Sequence, residues 1–157
     1  MFRFRKILVP LDGSEFAESA LAPALGLAES MHADVVLFRV AQPIPRTQKL
    51  AEMPDVYDDV VAATFREAQE YLEATRQTLP YKQVAIEYRP ASEGVASQIL
   101  DYAASQGVDL IVIASHGRTG VDRWVHGSVA QKVLTGCSCS TLVVRAPQPR
   151  PVEALDR

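Results

Sequence analysis

The stretch from Leu110 to Val133, LIVIASHGRTGVDRWVHGSVAQKV, constrains the fold of this chain more than any other. Its opening run, Leu110-Ile111-Val112-Ile113-Ala114, is apolar without alternation, the pattern of a strand covered on both faces as in a parallel sheet. A loop follows at the strand's C-terminal end. Gly117 and Gly127 remove side chains where backbone amides could approach an anion, and Gly127-Ser128 opens a helical pattern through Val129, Val133 and Leu134. A helix N-terminus offers unpaired N–H groups and the positive end of a dipole, so strand, glycine loop and helix together suit a phosphate.

The rest of the chain repeats strand and helix in alternation. Lys6 to Pro10 reads as a short apolar strand, and Leu11-Asp12-Gly13-Ser14 as a turn into a helix with Ser14 as N-cap. Ala17, Ala20, Leu21, Ala24, Ala28 and Met31 form a small-residue face along that helix, and Pro23 should kink or split it. Ala33 to Val40 is a second buried strand. The loop from Ala41 to Pro54 is long for a connector and serves as a lid, a partner contact or a plain linker. Asp55 to Leu79 carries one apolar face, from Tyr57 through Phe65 and Leu72 to Thr75, as a long amphipathic helix. Gln83 to Arg89 alternates as an edge strand would. Gly94 to Gln106 is a further helix with Val95, Ile99, Leu100 and Ala103 inward and Gly107 as its stop, and Gly136 closes the helix after the glycine loop. Thr141 to Arg145 is a last strand. The expected architecture is an open parallel α/β sheet with helices on both faces. Residues 1–146 make one domain and 147–157, with three prolines counting Pro147, a flexible tail.

Composition narrows the function classes. The 157 residues suffice for a single domain with a real core. A net charge of −3 and the absence of a basic stripe argue against a nucleic-acid surface. No apolar segment approaches the ~20 residues of a membrane span, and the apolar run after Lys6 is too short for a secretory signal, so a cytoplasmic location is expected. The two cysteines, Cys137 and Cys139, stand one residue apart, too close for an easy disulfide and too few for a zinc cage. Buried thiols in a reducing compartment are the expectation. The chain lacks a G-x-x-x-x-G-K-[ST] phosphate loop, a G-x-G-x-x-G after the first strand, and a nucleophile elbow.

The spacing of Gly117, Gly127 and Ser128 resembles the nucleotide-binding signature of the universal stress protein family: glycine, two residues, glycine, nine residues, then glycine and serine or threonine. The first glycine is Ala114 here, the smallest possible departure. The resemblance runs from about Arg5 to Arg145. It implies the strand order 3-2-1-4-5 of the adenine nucleotide alpha hydrolase-like fold, with a ligand crevice between strands 1 and 4 where the order reverses. It also implies ATP, accompanied by Mg²⁺ or Mn²⁺, as the ligand. The positions that match the family's contacts are Asp12 after strand 1, Val40 at the end of strand 2, Gly117 after strand 4, and Gly127, Ser128 and Val129 at the helix start; Pro10, Ala114, His116 and Arg118, at the ends of strands 1 and 4, are expected in the same site.

From the residues alone, Asp12 either meets ribose or a metal-bound water, or holds its own turn with Gly13. Arg118 and Arg123 either neutralise phosphate or face solvent. His116 and His126 suit hydrogen bonding better than catalysis because local sequence fixes no carboxylate beside them, and Trp124 suits a loop anchor. Binding is expected over turnover, at most slow ATP hydrolysis, since no residue can be named to position a water and stabilise developing charge. A nucleotide-free dimeric interaction protein and a weak ATPase or nucleotidyl-transfer enzyme are the alternatives. The resemblance further implies a homodimer through the last strand, Thr141 to Arg145, with an unidentified protein partner besides.

Overall fold

The computed structural model describes residues 3–42, 52–91, 94–115 and 128–145. Strands β1 (Lys6–Pro10), β2 (Asp34–Ala41), β3 (Val84–Pro90), β4 (Leu110–Ser115) and β5 (Ser140–Arg145) form one sheet in the order β3-β2-β1-β4-β5. Every adjacent pair is parallel. The expected class and strand order are therefore observed. The helices are α1 (Glu15–Glu18), α2 (Leu21–Met31), α3 (Pro54–Thr78), α4 (Val95–Ser105) and α5 (Ser128–Gly136).

The unbroken apolar strands feed two cores because successive side chains leave a strand on opposite faces. Ile7, Val9, Val35, Leu37 and Val112 pack on one face beneath α2 and α3, while Leu8, Val36, Phe38, Ile111 and Ile113 pack on the other beneath α4 and α5. Ala20, Ala24 and Ala28 are fully buried, so the small-residue face lets α2 lie close on the sheet. Pro23 splits the helix instead of kinking it. The chain breaks after Glu18, and Pro23 falls in the first turn of α2, where a missing N–H leaves no helical bond unmade.

Two helix ends show the same solution with different residues. Gly107 follows α4 at φ +64°, and the Val108 N–H donates to the Ala103 carbonyl at 3.0 Å. His32 ends α2 at φ 53°, with the Ala33 N–H donating to the Ala28 carbonyl at 3.0 Å. Both are left-handed caps, but His32 carries the Cβ that glycine lacks. On the long helix α3 only Ala68 and Leu72 are fully buried; the expected apolar face is half-buried elsewhere, and Val56 is exposed. On α4 the buried residues are Ala96, Ile99, Tyr102 and Ala103, with Val95 and Leu100 half-buried.

Two substitutions test this packing by urea denaturation. Ala24→Leu should destabilise by about 1–3 kcal/mol because it overfills the α2–sheet contact. His32→Gly should raise stability by up to about 1 kcal/mol by relieving the left-handed residue. Unchanged midpoints would contradict these two readings.

Candidate functional site

β1 pairs with β2 along its whole length, from Lys6↔Asp34 to Pro10↔Phe38, but with β4 only at Ile7↔Leu110 and Leu8↔Ile111. Pairing across the β1–β4 seam therefore stops well before the C-terminal ends of the strands. Beyond it lies a cavity of about 260 Å³ lined by β1, β2, β4 and the starts of α1, α4 and α5. Its position is the switch point of the sheet, where β1 leads the chain to one side and β4 to the other.

Among the residues singled out by sequence, Pro10, Asp12, Val40, Ala114, Ser128 and Val129 all line this cavity. His116, Gly117, Arg118 and Gly127 lie outside the described residues, as do Arg123, Trp124 and His126, the segment 43–51 and the tail 147–157. Sequence reasoning passed over Phe16 and Gln42, and it read Phe38, Val95, Ile99 and Ile113 as strand or core only, although all six line the cavity. Gln42 had a signal: it is the first residue after β2, at the same sheet edge as Asp12. The floor is apolar, from Phe38, Ile99 and Ile113, and the polar groups sit at the rim, the usual division of a small-molecule site.

Asp12 holds its own turn. Its Oδ1 accepts the Ser14 N–H at 2.9 Å and the Ser14 hydroxyl at 2.6 Å. Ser14 Oγ in turn accepts the Ala17 N–H at 3.1 Å and caps α1, as expected. The two readings of Asp12 are compatible, because one oxygen is engaged in the turn while the exposed carboxylate still lines the cavity. Gly13 makes this turn possible at φ +89°, a conformation side chains resist.

Arg39 braces the turn from below. It is the one charge within Val35–Ala41, and its guanidinium lies over the Tyr71 ring at 4.9 Å and pairs with Glu67 at 3.0 Å. A Cβ on Gly13 would stand 3.5 Å from that guanidinium. The Tyr71 hydroxyl donates to Glu18 at 2.8 Å, and burial together with this carboxylate pushes the phenol up, so it stays a donor. Arg39, Tyr71 and Glu18 thereby tie the cavity's first loop and α1 to α3. A single arginine in an apolar strand is the only sequence sign of this brace.

The sequence profile of the universal stress protein family matches residues 3–145. The chain belongs to this family. It is 31% identical over 147 residues to the universal stress protein YxiE of Bacillus subtilis, spanning 90% of this chain and 99% of YxiE. The universal stress protein UspA of Lactobacillus plantarum superposes with a TM-score of 0.74 at 25% identity, covering 92% of this chain and all of UspA. A universal stress protein solved in complex with cAMP shares the fold, with a TM-score of 0.57 at 16% identity over 91% of this chain and 98% of that one. In this universal stress protein Ala114 carries its extra methyl at a cavity-lining, half-buried position in β4.

Gly13→Ala should destabilise the protein by about 1–2 kcal/mol, since the left-handed conformation penalises any Cβ, and Ser14→Ala by about 1 kcal/mol through the lost cap. Thermal or urea unfolding measures both; a neutral Gly13→Ala would remove the strained-turn reading.

Proposed function

We propose that this universal stress protein binds ATP in the cavity between β1 and β4 and acts as a nucleotide-dependent stress-response or regulatory protein. The observation that supports the reading best is convergence. Asp12, Val40, Ala114, Ser128 and Val129 are far apart in sequence, match the family's ligand positions, and line one cavity at the switch point. The apolar floor suits an adenine ring. The nine-residue helix α5 presents its N-terminal end, with the Ser128 hydroxyl, to the same space, where phosphate oxygens are favoured. Asp12 fits a role in holding Mg²⁺ or Mn²⁺ through water, since hard cations take carboxylate and water oxygens; the metal would neutralise phosphate charge.

Binding is favoured over turnover. Among the described residues lining the cavity, Asp12 is the only ionisable side chain, and one of its oxygens is committed to Ser14. A pair of groups to activate water and protonate a leaving group is not assembled from them. A cytoplasmic location agrees with a ligand of that compartment, and no described helix is long and apolar enough to cross a membrane.

The same reading includes a homodimer through β5. That strand pairs with β4 on one side only, and Leu142 is exposed. An unpaired edge with an apolar side chain invites a second copy.

Calorimetric titration with ATP and Mg²⁺ tests the site. Wild type should bind with a Kd of about micromolar order, near −8 kcal/mol. Ala114→Leu, which fills the cavity, should weaken binding by about tenfold or more, the equivalent of ~1.4 kcal/mol, while Ala114→Gly should bind at least as tightly as wild type. Binding by Ala114→Gly alone would mean that the methyl excludes nucleotide and would favour a nucleotide-free interaction protein. No binding by either would overturn the proposal. For the dimer, Leu142→Lys should shift the sedimenting species toward monomer; an unchanged sedimentation coefficient would remove the β5 interface.

A further inference from the structure

The turn from α5 into β5, Gly136-Cys137-Ser138-Cys139-Ser140, plays no part in the nucleotide reading. The sequence expectation of buried thiols is corrected in one respect: both cysteines are free, but neither is fully buried. Both cysteines are only half-buried, and their sulfurs are 2.8 Å apart. The backbone holds them there from both sides. The Cys137 N–H makes the last bond of the helix, to the Val133 carbonyl at 2.9 Å, and the Ser140 N–H donates to the Asp109 carbonyl at 3.2 Å as β5 joins the sheet. A bond between the sulfurs, about 2.05 Å long, therefore needs a movement of under an ångström, shared between two side chains.

The two sulfurs are not equivalent. The Cys139 N–H donates to Cys137 Sγ at 3.3 Å, so the backbone places a donor on Cys137. Burial, the neighbouring sulfur and the Asp109 carboxylate push the Cys139 thiol up to about 12, which keeps its proton in place. The backbone donor on Cys137 and the held proton of Cys139 together mark Cys137 as the sulfur that attacks first.

We propose that Cys137 and Cys139 form a redox-active dithiol that low-molecular-weight disulfides oxidise reversibly to an intramolecular disulfide, with Cys137 attacking and Cys139 resolving. In the first step the Cys137 thiolate attacks one sulfur of the small disulfide. Its S–S bond breaks, a mixed disulfide forms on Cys137, and one small thiolate leaves and takes up a proton. In the second step the sulfur of Cys139 attacks Cys137 Sγ, the Cys137–Cys139 bond forms, and the second small thiolate leaves with the Cys139 proton. The protein loses two electrons and two protons, and the small disulfide is reduced to two thiols. Contact between the sulfurs supplies the proximity for the second step.

The test is intact-mass spectrometry of the full-length protein after incubation with oxidised glutathione, acid quench and thiol alkylation. Wild type should lose the mass of two hydrogens, resist alkylation at both cysteines, and recover both thiols with dithiothreitol. Cys139→Ser, with no resolving sulfur, should accumulate a mixed disulfide with glutathione on Cys137. Cys137→Ser should form one at least about tenfold more slowly, as a thiolate-poor sulfur would. Wild type that keeps both thiols, holds glutathione on either cysteine, or forms disulfide-linked dimers would overturn the proposal. Faster modification of Cys137→Ser than of Cys139→Ser would overturn the assignment of the two sulfurs.

Discussion

The short β1–β4 seam governs what this fold can do. Two ladder pairs, Ile7↔Leu110 and Leu8↔Ile111, join the two halves of the sheet, helped at their start by the Asp109 N–H donating to the Lys6 carbonyl at 3.1 Å, and past them the strands carry on without pairing to each other. Pro10 contributes to this, because it ends β1 with a residue that has no N–H to give either neighbour. Five-residue β1 is otherwise fully paired with β2, so the opening falls on the β4 side alone. With the seam as it is, the ends of β1, β2 and β4 and the starts of α1, α4 and α5 all face one space.

The walls of that space are fixed by interactions of different strength. The floor comes from residues that are core in their own right, Phe38 and Ile99, and so is held by burial on both sides of the chain that leads to it. The rim is held by a polar relay. Asp12 is set by Ser14, Ser14 caps α1, and Arg39 lies beneath Gly13 while bound to Tyr71 and Glu67. Arg39 is well shielded while Glu67 is largely exposed, so the ion pair itself adds little; the stacking on Tyr71 and the packing of the arginine stem are the stronger terms.

Much of the fold was legible in the sequence because its signals are local. Unalternating runs such as Leu110–Ala114 gave buried strands, alternation from Gln83 gave the edge strand, and Gly107 gave a helix stop. The strand order was not legible that way, since periodicity carries no information on which strands are neighbours; it came from the resemblance of the glycine spacing to a family. Pro23 shows the limit at finer scale: sequence identifies the break, but whether the chain kinks or separates depends on the Ser19-Ala20 step and on α2 docking through its alanines. In the site, residues next to a strand end were visible except Gln42, whereas Val95 and Ile99 reach it, and Arg39 braces it, through tertiary packing. The half-burial of the cysteines escaped for the same reason, because spacing alone does not say how a helix end and a strand start will cover the two sulfurs.

The most direct test of a ligand crevice at the β1–β4 seam is amide-resolved NMR of the isotopically labelled protein during titration with ATP and Mg²⁺. The largest shifts should fall on Leu11 to Ser14, Val40 to Gln42, Ala114 and Ser128 to Ala130, with β3 and the outer face of α3 unchanged. Shifts confined to another surface, such as the groove of Arg3, Arg5, His32 and Asp34 at the opposite end of the sheet, would contradict it.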